Sequence, residues 1–270
     1  MESDFSIDKK VVAITGAASG IGRALAVRMA GAGSRLALAD IDLAGLQETL
    51  SLLPGGVDAR VYLVDVSSRD AVFSFADDVV RDFGAVDYVI NNAGTAFLAT
   101  FEHITLEQID RIIAVNLWGV IYGSKAFLEK MLPRRSGCIV NISSVFGLLA
   151  TPCSVAYTIS KFGVRGLTET LWQELDGTGV RAVLVHPGGI NTNISNGSKA
   201  AYDADFERKV MKANLAQMTT APDDCAEQIV QGLLRGHKRL LVGNSAKTLH
   251  VISRLLPNSY GYLIKKKLGF

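Results

Sequence analysis

Thr15-Gly16-Ala17-Ala18-Ser19-Gly20-Ile21-Gly22 follows the apolar run Val11-Val12-Ala13-Ile14 and leads into apolar residues at helical spacing, Ile21, Leu25 and Val27 to Met29. The run Val11 to Thr15 is too short for a helix and stops at glycine, so it reads as a buried strand. The glycines then turn the chain into a helix that ends at Gly31 and Gly33. A helix N-terminus offers backbone N–H groups to an anion, and glycine lets the backbone approach one without a Cβ in the way. Gly16, Ser19, Gly20, Ile21 and Gly22 are therefore expected to hold a dinucleotide pyrophosphate. The spacing is G-x-x-x-G-x-G instead of G-x-G-x-x-G.

Working outward, short apolar runs alternate with helical patterns. Strands are expected at Arg35 to Asp40, Arg60 to Asp65, Val86 to Ile90, Cys138 to Ile142, Val180 to Val185 and Arg239 to Val242. Helices are expected at Leu43 to Leu53, Arg69 to Phe83, Thr105 through Asn116 to about Leu132, around Tyr157 to about Leu175, and after Pro222. Thr105 with Gln108 is a capping-box signature, and Pro222 followed by Asp223 and Asp224 suits a first helical turn. Such alternation predicts an α/β fold: a single doubly wound Rossmann-type parallel sheet with helices on both faces. No linker interrupts it, so residues 1–270 read as one domain.

Asp40 ends the second strand, 18 residues beyond Gly22. An acid at about this distance accepts hydrogen bonds from the adenosine ribose of NAD and repels the 2′-phosphate of NADP. Ser19 and Ile41 bring no compensating cation. NAD is the expected cofactor, with NADP disfavoured.

The 270 residues are 49% hydrophobic and 20% charged, a balance suited to a sizeable core. No apolar run reaches the length of a membrane span, and Met1-Glu2-Ser3-Asp4 lacks the pattern of a signal peptide, so a cytoplasmic location is expected. Cys138, Cys153 and Cys225 form no C-x-x-C pair, and His103, His186, His237 and His250 are scattered. Neither a disulfide framework nor a metal site is expected, and the histidines read as structural or surface residues. Eight of the 28 Lys and Arg follow Glu227 with no acid among them, leaving 20 basic against 26 acidic residues before that point. A basic tail on an acidic body invites an anionic partner or a neighbouring subunit. No nucleic-acid motif accompanies it, so nucleic acid is not an expected partner.

Tyr157 and Lys161, four residues apart, share one face if their stretch is helical. A cation beside a phenol stabilises the phenolate, so Lys161 is expected to lower the Tyr157 pKa and make it a general base.

Taken together, Thr15 to Gly22, Asn91-Asn92-Ala93-Gly94, Asn116, Ser144, Tyr157-x-x-x-Lys161 and Pro187-Gly188 resemble the short-chain dehydrogenases/reductases, from about Lys10 to Val242. The resemblance implies a catalytic set of Asn116, Ser144, Tyr157 and Lys161. Ser144, 13 residues before Tyr157, fits better than Ser143, and its hydroxyl would hold the substrate oxygen. Tyr157 would take or return the alcohol proton, and Lys161 would also hold the nicotinamide ribose. Asn116 would position a water in a proton relay to Lys161. Asp65 and Val66 would meet adenine, and Asn92, Ala93 and Gly94 would floor the adenosine site. Beyond Pro187 and Gly188, Ile190 and Thr192 would meet the nicotinamide carboxamide.

The resemblance also places the loop between Ser144 and Tyr157 at the substrate, with Cys153 and Ser154 as contacts. Its apolar content, Phe146, Leu148 and Leu149 included, points to a hydrophobic secondary alcohol or ketone. Residues 190–220 resemble a variable substrate lid with Gly197 in it. Residues 244–270 form a basic extension with apolar residues at helical spacing, broken at Pro257-Asn258. It is expected to pack over a pocket or a neighbouring subunit, or to lie on a membrane surface as a peripheral contact. The family's habit implies a homo-oligomer, a dimer or tetramer. The rival functions are a non-catalytic NAD-binding sensor or scaffold, which has no need of Ser144, Tyr157 and Lys161, and an NADPH-dependent carbonyl reductase. A sugar-nucleotide epimerase shares Tyr-x-x-x-Lys but has another glycine spacing and a longer C-terminal substrate domain.

Overall fold

The computed structural model describes residues 5–192, 194 and 205–268. Seven strands, β1 Val11–Thr15, β2 Arg35–Asp40, β3 Ala59–Leu63, β4 Tyr88–Asn91, β5 Gly137–Ile142, β6 Val180–Pro187 and β7 Arg239–Val242, form one sheet. All pairings are parallel and the order is β3-β2-β1-β4-β5-β6-β7. Parallel neighbours need long crossovers, and helices supply them. They are α1 Gly20–Gly31, α2 Leu43–Ser51, α3 Arg69–Phe83, α4 Leu106–Ile113 continuing into α5 Gly119–Met131, α6 Val155–Glu174, α7 Asp205–Ala216 and α8 Pro222–Leu234. Two more, α9 Ala246–Leu255 and α10 Tyr260–Leu268, form the tail.

Helices on both faces leave the central strands without a solvated side, and every residue of β1 and β4 is buried. Alternate residues serve two cores. Val12, Ile14, Leu36, Leu38, Ile90 and Val140 pack with Leu25 and Met29 of α1 and Ile229 and Leu233 of α8. Ala13, Ala37, Val89 and Ile139 pack with Phe75 and Val79 of α3 and Phe127 and Met131 of α5.

Three of the boundaries that differ from expectation have a visible cause. β3 ends at Leu63, not Asp65, because its last pairing is Leu63 with Asp40, and Asp65 then closes a turn on Ser67. β4 starts at Tyr88, two residues later than expected, after Asp87 accepts the Val11 N–H at 2.9 Å. The long helix from Thr105, capped as expected, is interrupted by a wide π turn at Ala114–Trp118. Asn116 in that turn is drawn inward by hydrogen bonds to Thr95. Of the expected lid, α7 is described, whereas Gly197 lies outside the described residues.

Candidate active site

Neighbouring strands β1 and β4 send their connections to opposite sides, and this opens a crevice at their C-terminal ends. The loops leaving them are tied together there. The Thr15 hydroxyl accepts the N–H groups of Asn92 and Ala93 at 3.0 and 3.1 Å. The Asn92 amide donates to the carbonyls of Thr15 and Gly16 at 3.0 and 3.2 Å. Gly16 has φ +68°, and a Cβ on it would lie 2.8 Å from the Ala93 Cα. A Cβ on Gly22 would lie 2.0 Å from the Gly16 carbonyl oxygen, so both glycines are required by the closeness of the two loops.

A cavity of about 560 Å³ fills the crevice. Gly16, Ser19, Gly20, Ile21, Asp40, Asp65, Val66, Asn92, Ala93 and Gly94 line it, as do Pro187, Ile190 and Thr192. Ser144, Tyr157 and Lys161 line the same space. Among the expected contacts, Gly22, Asn116, Cys153, Ser154 and Gly188 do not. Gly22 and Gly188 are packing positions, the latter with only 2.8 Å between an added Cβ and Val145.

Cys153 and Ser154, expected as substrate contacts, are engaged with backbone groups and do not line the cavity. The Cys153 carbonyl accepts the Ala99 N–H at 3.0 Å, and the Ser154 hydroxyl donates to the Thr151 carbonyl at 2.7 Å. These bonds tie that stretch to the loop after β4, and Thr151 faces the cavity instead. Asn116 is fully buried, accepting from the Thr95 N–H and donating to the Thr95 carbonyl, both at 2.8 Å, and to the Ser160 hydroxyl at 3.3 Å. Its side chain thus braces the loop after Gly94 against α6, the helix that carries Tyr157 and Lys161.

Asp40 does not cap α2; Asp42 does, accepting the Gly45 N–H. The Asp40 carboxylate accepts the Ala18 N–H at 3.0 Å and the Asp42 N–H at 3.1 Å while facing the cavity. Arg23, near this end, is engaged with Ala18, Thr49 and Glu48 and does not line the cavity.

The Ser143 hydroxyl donates to the Lys161 carbonyl at 2.9 Å, while the Ser144 hydroxyl accepts the Phe146 N–H at 3.2 Å and lines the cavity with Tyr157. The two serines thus divide: one holds α6, the other lines the cavity. Phe146 meets the Tyr157 ring edge-on with centroids 5.8 Å apart. Lys161, almost fully buried, donates to the Ile142 carbonyl at 3.0 Å, with its Nζ 5.6 Å from the Tyr157 ring centre.

These distances correct one expectation. Burial pushes the Tyr157 phenol up to about 12, and the nearby Ser144 hydroxyl only partly opposes it. Burial also pushes the Lys161 amine down to about 8. Desolvation penalises both charged forms, and an ammonium bonded to a carbonyl at ring distance does not offset that for the phenol.

Several residues here carry no sequence motif. His186, fully buried, donates from Nδ1 to the Ser144 carbonyl at 2.7 Å and so fixes the serine's backbone. Asn214 of α7, Leu249 of α9 and Ile264 of α10 line the cavity. The Ala150 N–H donates to the Tyr260 hydroxyl at 3.1 Å, which seats α10 on the loop after Ser144. The tail therefore packs over the pocket, one of its expected placements. Its apolar spacing was legible, but not the direction in which it faces. No cluster of potential metal ligands occurs among the described residues.

Residues 10–203 match the family model of the short chain dehydrogenases. The chain belongs to that family. SadH of Mycobacterium tuberculosis strain H37Rv is 40% identical over 262 residues, 96% of this short-chain dehydrogenase and 95% of that protein. Estradiol 17-beta-dehydrogenase 11 of Homo sapiens is 30% identical over 268 residues, covering 98% of this chain and 85% of its own. The crystal structure of a short-chain dehydrogenase/reductase from Burkholderia phymatum in complex with NAD superposes with a TM-score of 0.86 at 27% identity, covering 96% of each chain. As a short-chain dehydrogenase the protein is an oxidoreductase of a family that works with NAD(P). The match ends at residue 203, so α8, β7 and the tail lie beyond it.

Proposed function

We propose that this short-chain dehydrogenase transfers hydride between an apolar secondary alcohol, or the matching ketone, and NAD, with Tyr157 as its acid–base group. The observation that carries the reading is the meeting of Ser144, the Tyr157 phenol, buried Lys161 and the glycine loop in one cavity. A non-catalytic sensor would have no use for the first three.

The loop fits a pyrophosphate. Ser19 stands at the N-cap of α1 but its side chain caps nothing, and the first turn holds no acid, so the leading amides are left for an anion. Gly16, Ser19, Gly20 and Ile21 would hold the pyrophosphate, Asp40 the adenosine ribose, Asp65 and Val66 the adenine, and Asn92 to Gly94 the floor beneath it. Ile190 and Thr192 would meet the carboxamide and Lys161 the nicotinamide ribose. Asp40, with the uncharged Ser19 and Ile41 as lining residues, favours NAD over NADP.

When bound, the nicotinamide supplies the hydride acceptor, or in its reduced form the donor. The Ser144 hydroxyl holds the substrate oxygen, and Tyr157 Oη takes the alcohol proton in oxidation or returns it to the ketone oxygen in reduction. Phe146 and Leu149 give the cavity an apolar lining. Asn116 and His186 are positioning residues, acting on the loop after Gly94 and on the Ser144 backbone.

Tyr157→Phe tests the reading. Turnover of secondary alcohols with NAD should fall by about 10²- to 10⁴-fold while NAD affinity holds; a variant that keeps its turnover would sink the assignment.

The tail brings a second proposed partner. On the same helices that wall the cavity, Val251, Leu255, Tyr262 and Leu263 are exposed, as are Lys247, Arg254, Lys265 and Lys266 and, just after α9, Leu256. Apolar and cationic groups together suit an anionic membrane surface. No helix among the described residues is long and apolar enough to cross a membrane. Assembly into a dimer or tetramer is proposed on the family's pattern alone.

A further inference from the structure

The cavity is not uniformly apolar where substrate would lie. Phe146, Leu149, Leu249 and Ile264 make an apolar wall from three separate parts of the chain. Asn214 of α7 faces the same space, and its amide nitrogen is buried with no hydrogen-bond partner among the described residues. A buried donor without an acceptor is costly, and folded chains leave few of them.

Asn214 is not there by looseness of its helix. Glu207, seven residues earlier and so on the same helical face, is buried and clamps α7 to the loop after β4. Its Oε1 accepts the Thr100 N–H at 2.7 Å, the Thr100 hydroxyl at 2.8 Å and His103 Nδ1 at 2.9 Å. The carboxylate is held charged, since these bonds outweigh the upward push of burial. A helix fixed two turns away presents its amide in one place, which is what selective recognition of a ligand oxygen requires.

We infer that Asn214 is a second polar anchor of the substrate site, donating a hydrogen bond to a substrate oxygen other than the reacting one. The substrate class is then a molecule with an apolar body, a secondary alcohol or ketone that meets Ser144 and Tyr157, and a second ketone, ether, ester or hydroxyl oxygen. This inference rests on the reading that the cavity takes substrate, and it deepens that reading from "apolar" to "apolar with two oxygens". Sites that hydrogen-bond a ligand group discriminate strongly against analogues lacking it, because the protein group is then left unpaired.

The test uses the full chain with NADH and paired bicyclic ketones, one with a single ketone and one bearing a second ketone on the far ring. Binding is followed by nicotinamide fluorescence and turnover by loss of NADH absorbance. The wild type should favour the two-oxygen member by about tenfold in kcat/KM, the weight of one net hydrogen bond. In Asn214→Leu the ratio should fall to within about twofold while NADH affinity, reporting an intact fold, is kept. Asn214→Asp, which replaces the donor with an anionic acceptor in the same shape, should also lose the preference. A preference that survives both substitutions overturns the inference, as does a loss of NADH affinity in both, which would make Asn214 a cofactor contact. Turnover that does not depend on Tyr157 would instead overturn the underlying reading, and failure of both ketones to bind counts against the two together.

Discussion

Asp40 and His186 show how much a single side chain carries in this site. Asp40 is engaged with the Ala18 and Asp42 N–H groups yet faces the cavity, so its charge is fixed where an adenosine ribose would sit. Asp40→Ala should weaken NAD by about tenfold and relax discrimination against NADP; titration of both cofactors checks this, and an unchanged preference would assign the acid to loop support alone. His186 titrates far from its usual range, pushed down to about 4 by burial, with Arg239, Arg165 and His250 adding to the effect against the Ser144 carbonyl bond. The folded pKa lies below the unfolded value of 6.5, so the stabilisation is complete above pH 6.5 and is lost as pH falls toward 4. The unfolded chain takes up a proton there that the buried ring refuses. The loss is about 3 kcal/mol over that window, and His186→Gln should remove the corresponding slope from denaturant unfolding measured between pH 7 and 4. Gly16, Asp40, Ser144, Tyr157 and Lys161 were legible because the glycine loop and Tyr-x-x-x-Lys fix their spacing. His186 and Asn214 were not, since a buried ring on a carbonyl and an unpaired amide exist only once strand and helix have packed. The direction of the Tyr157 shift was misread for a related reason: spacing reveals a neighbouring charge but not the loss of water around it.

At the scale of elements, signals written in adjacent residues held and those imposed from a distance did not. The Thr105–Gln108 capping box forms as expected, and Pro222 opens α8. The π turn at Ala114–Trp118 was invisible because its cause is a bond to Thr95, twenty-one residues away. The same contrast governs α7, an amphipathic helix whose placement depends on Glu207. Glu207→Ala removes a charged acceptor from Thr100 and His103 and leaves α7 attached through fewer contacts. Its amides should then exchange hydrogen about tenfold faster, the equivalent of one lost charged hydrogen bond, while those of β1 and β4 stay protected. Equal exchange in the two proteins would mean that α7 is held by its apolar face alone.

Across the whole molecule, alternating runs of apolar residues foretold the doubly covered sheet, since strands buried on both faces have no polar side to show. The strand order follows from right-handed crossovers and is consistent with the resemblance, but periodicity alone does not contain it. The tail is the part least legible, because its sequence offers two apolar sides. One covers the cavity through Leu249 and Ile264; the other leaves Leu255 and Tyr262 more than two-thirds exposed. Sedimentation with anionic vesicles should carry down the wild type but not the double variant Leu255→Asp, Tyr262→Asp, and added salt should weaken the effect; a wild type left in the supernatant would remove the membrane from its proposed partners, and co-sedimentation of the variant would move the contact away from this apolar face. The shared direction of all seven strands has a further consequence. The loops that hold the cavity leave the strands at one rim, and the turns that re-enter them, marked by Gly33, Gly56, Gly84, Gly177 and Gly236, gather at the other. At Gly55, whose backbone needs no positive φ, an added side chain would meet nothing within 4 Å. A dye, a tether or a solid support attached at that second rim would orient every molecule alike, with its mouth turned outward to the solution.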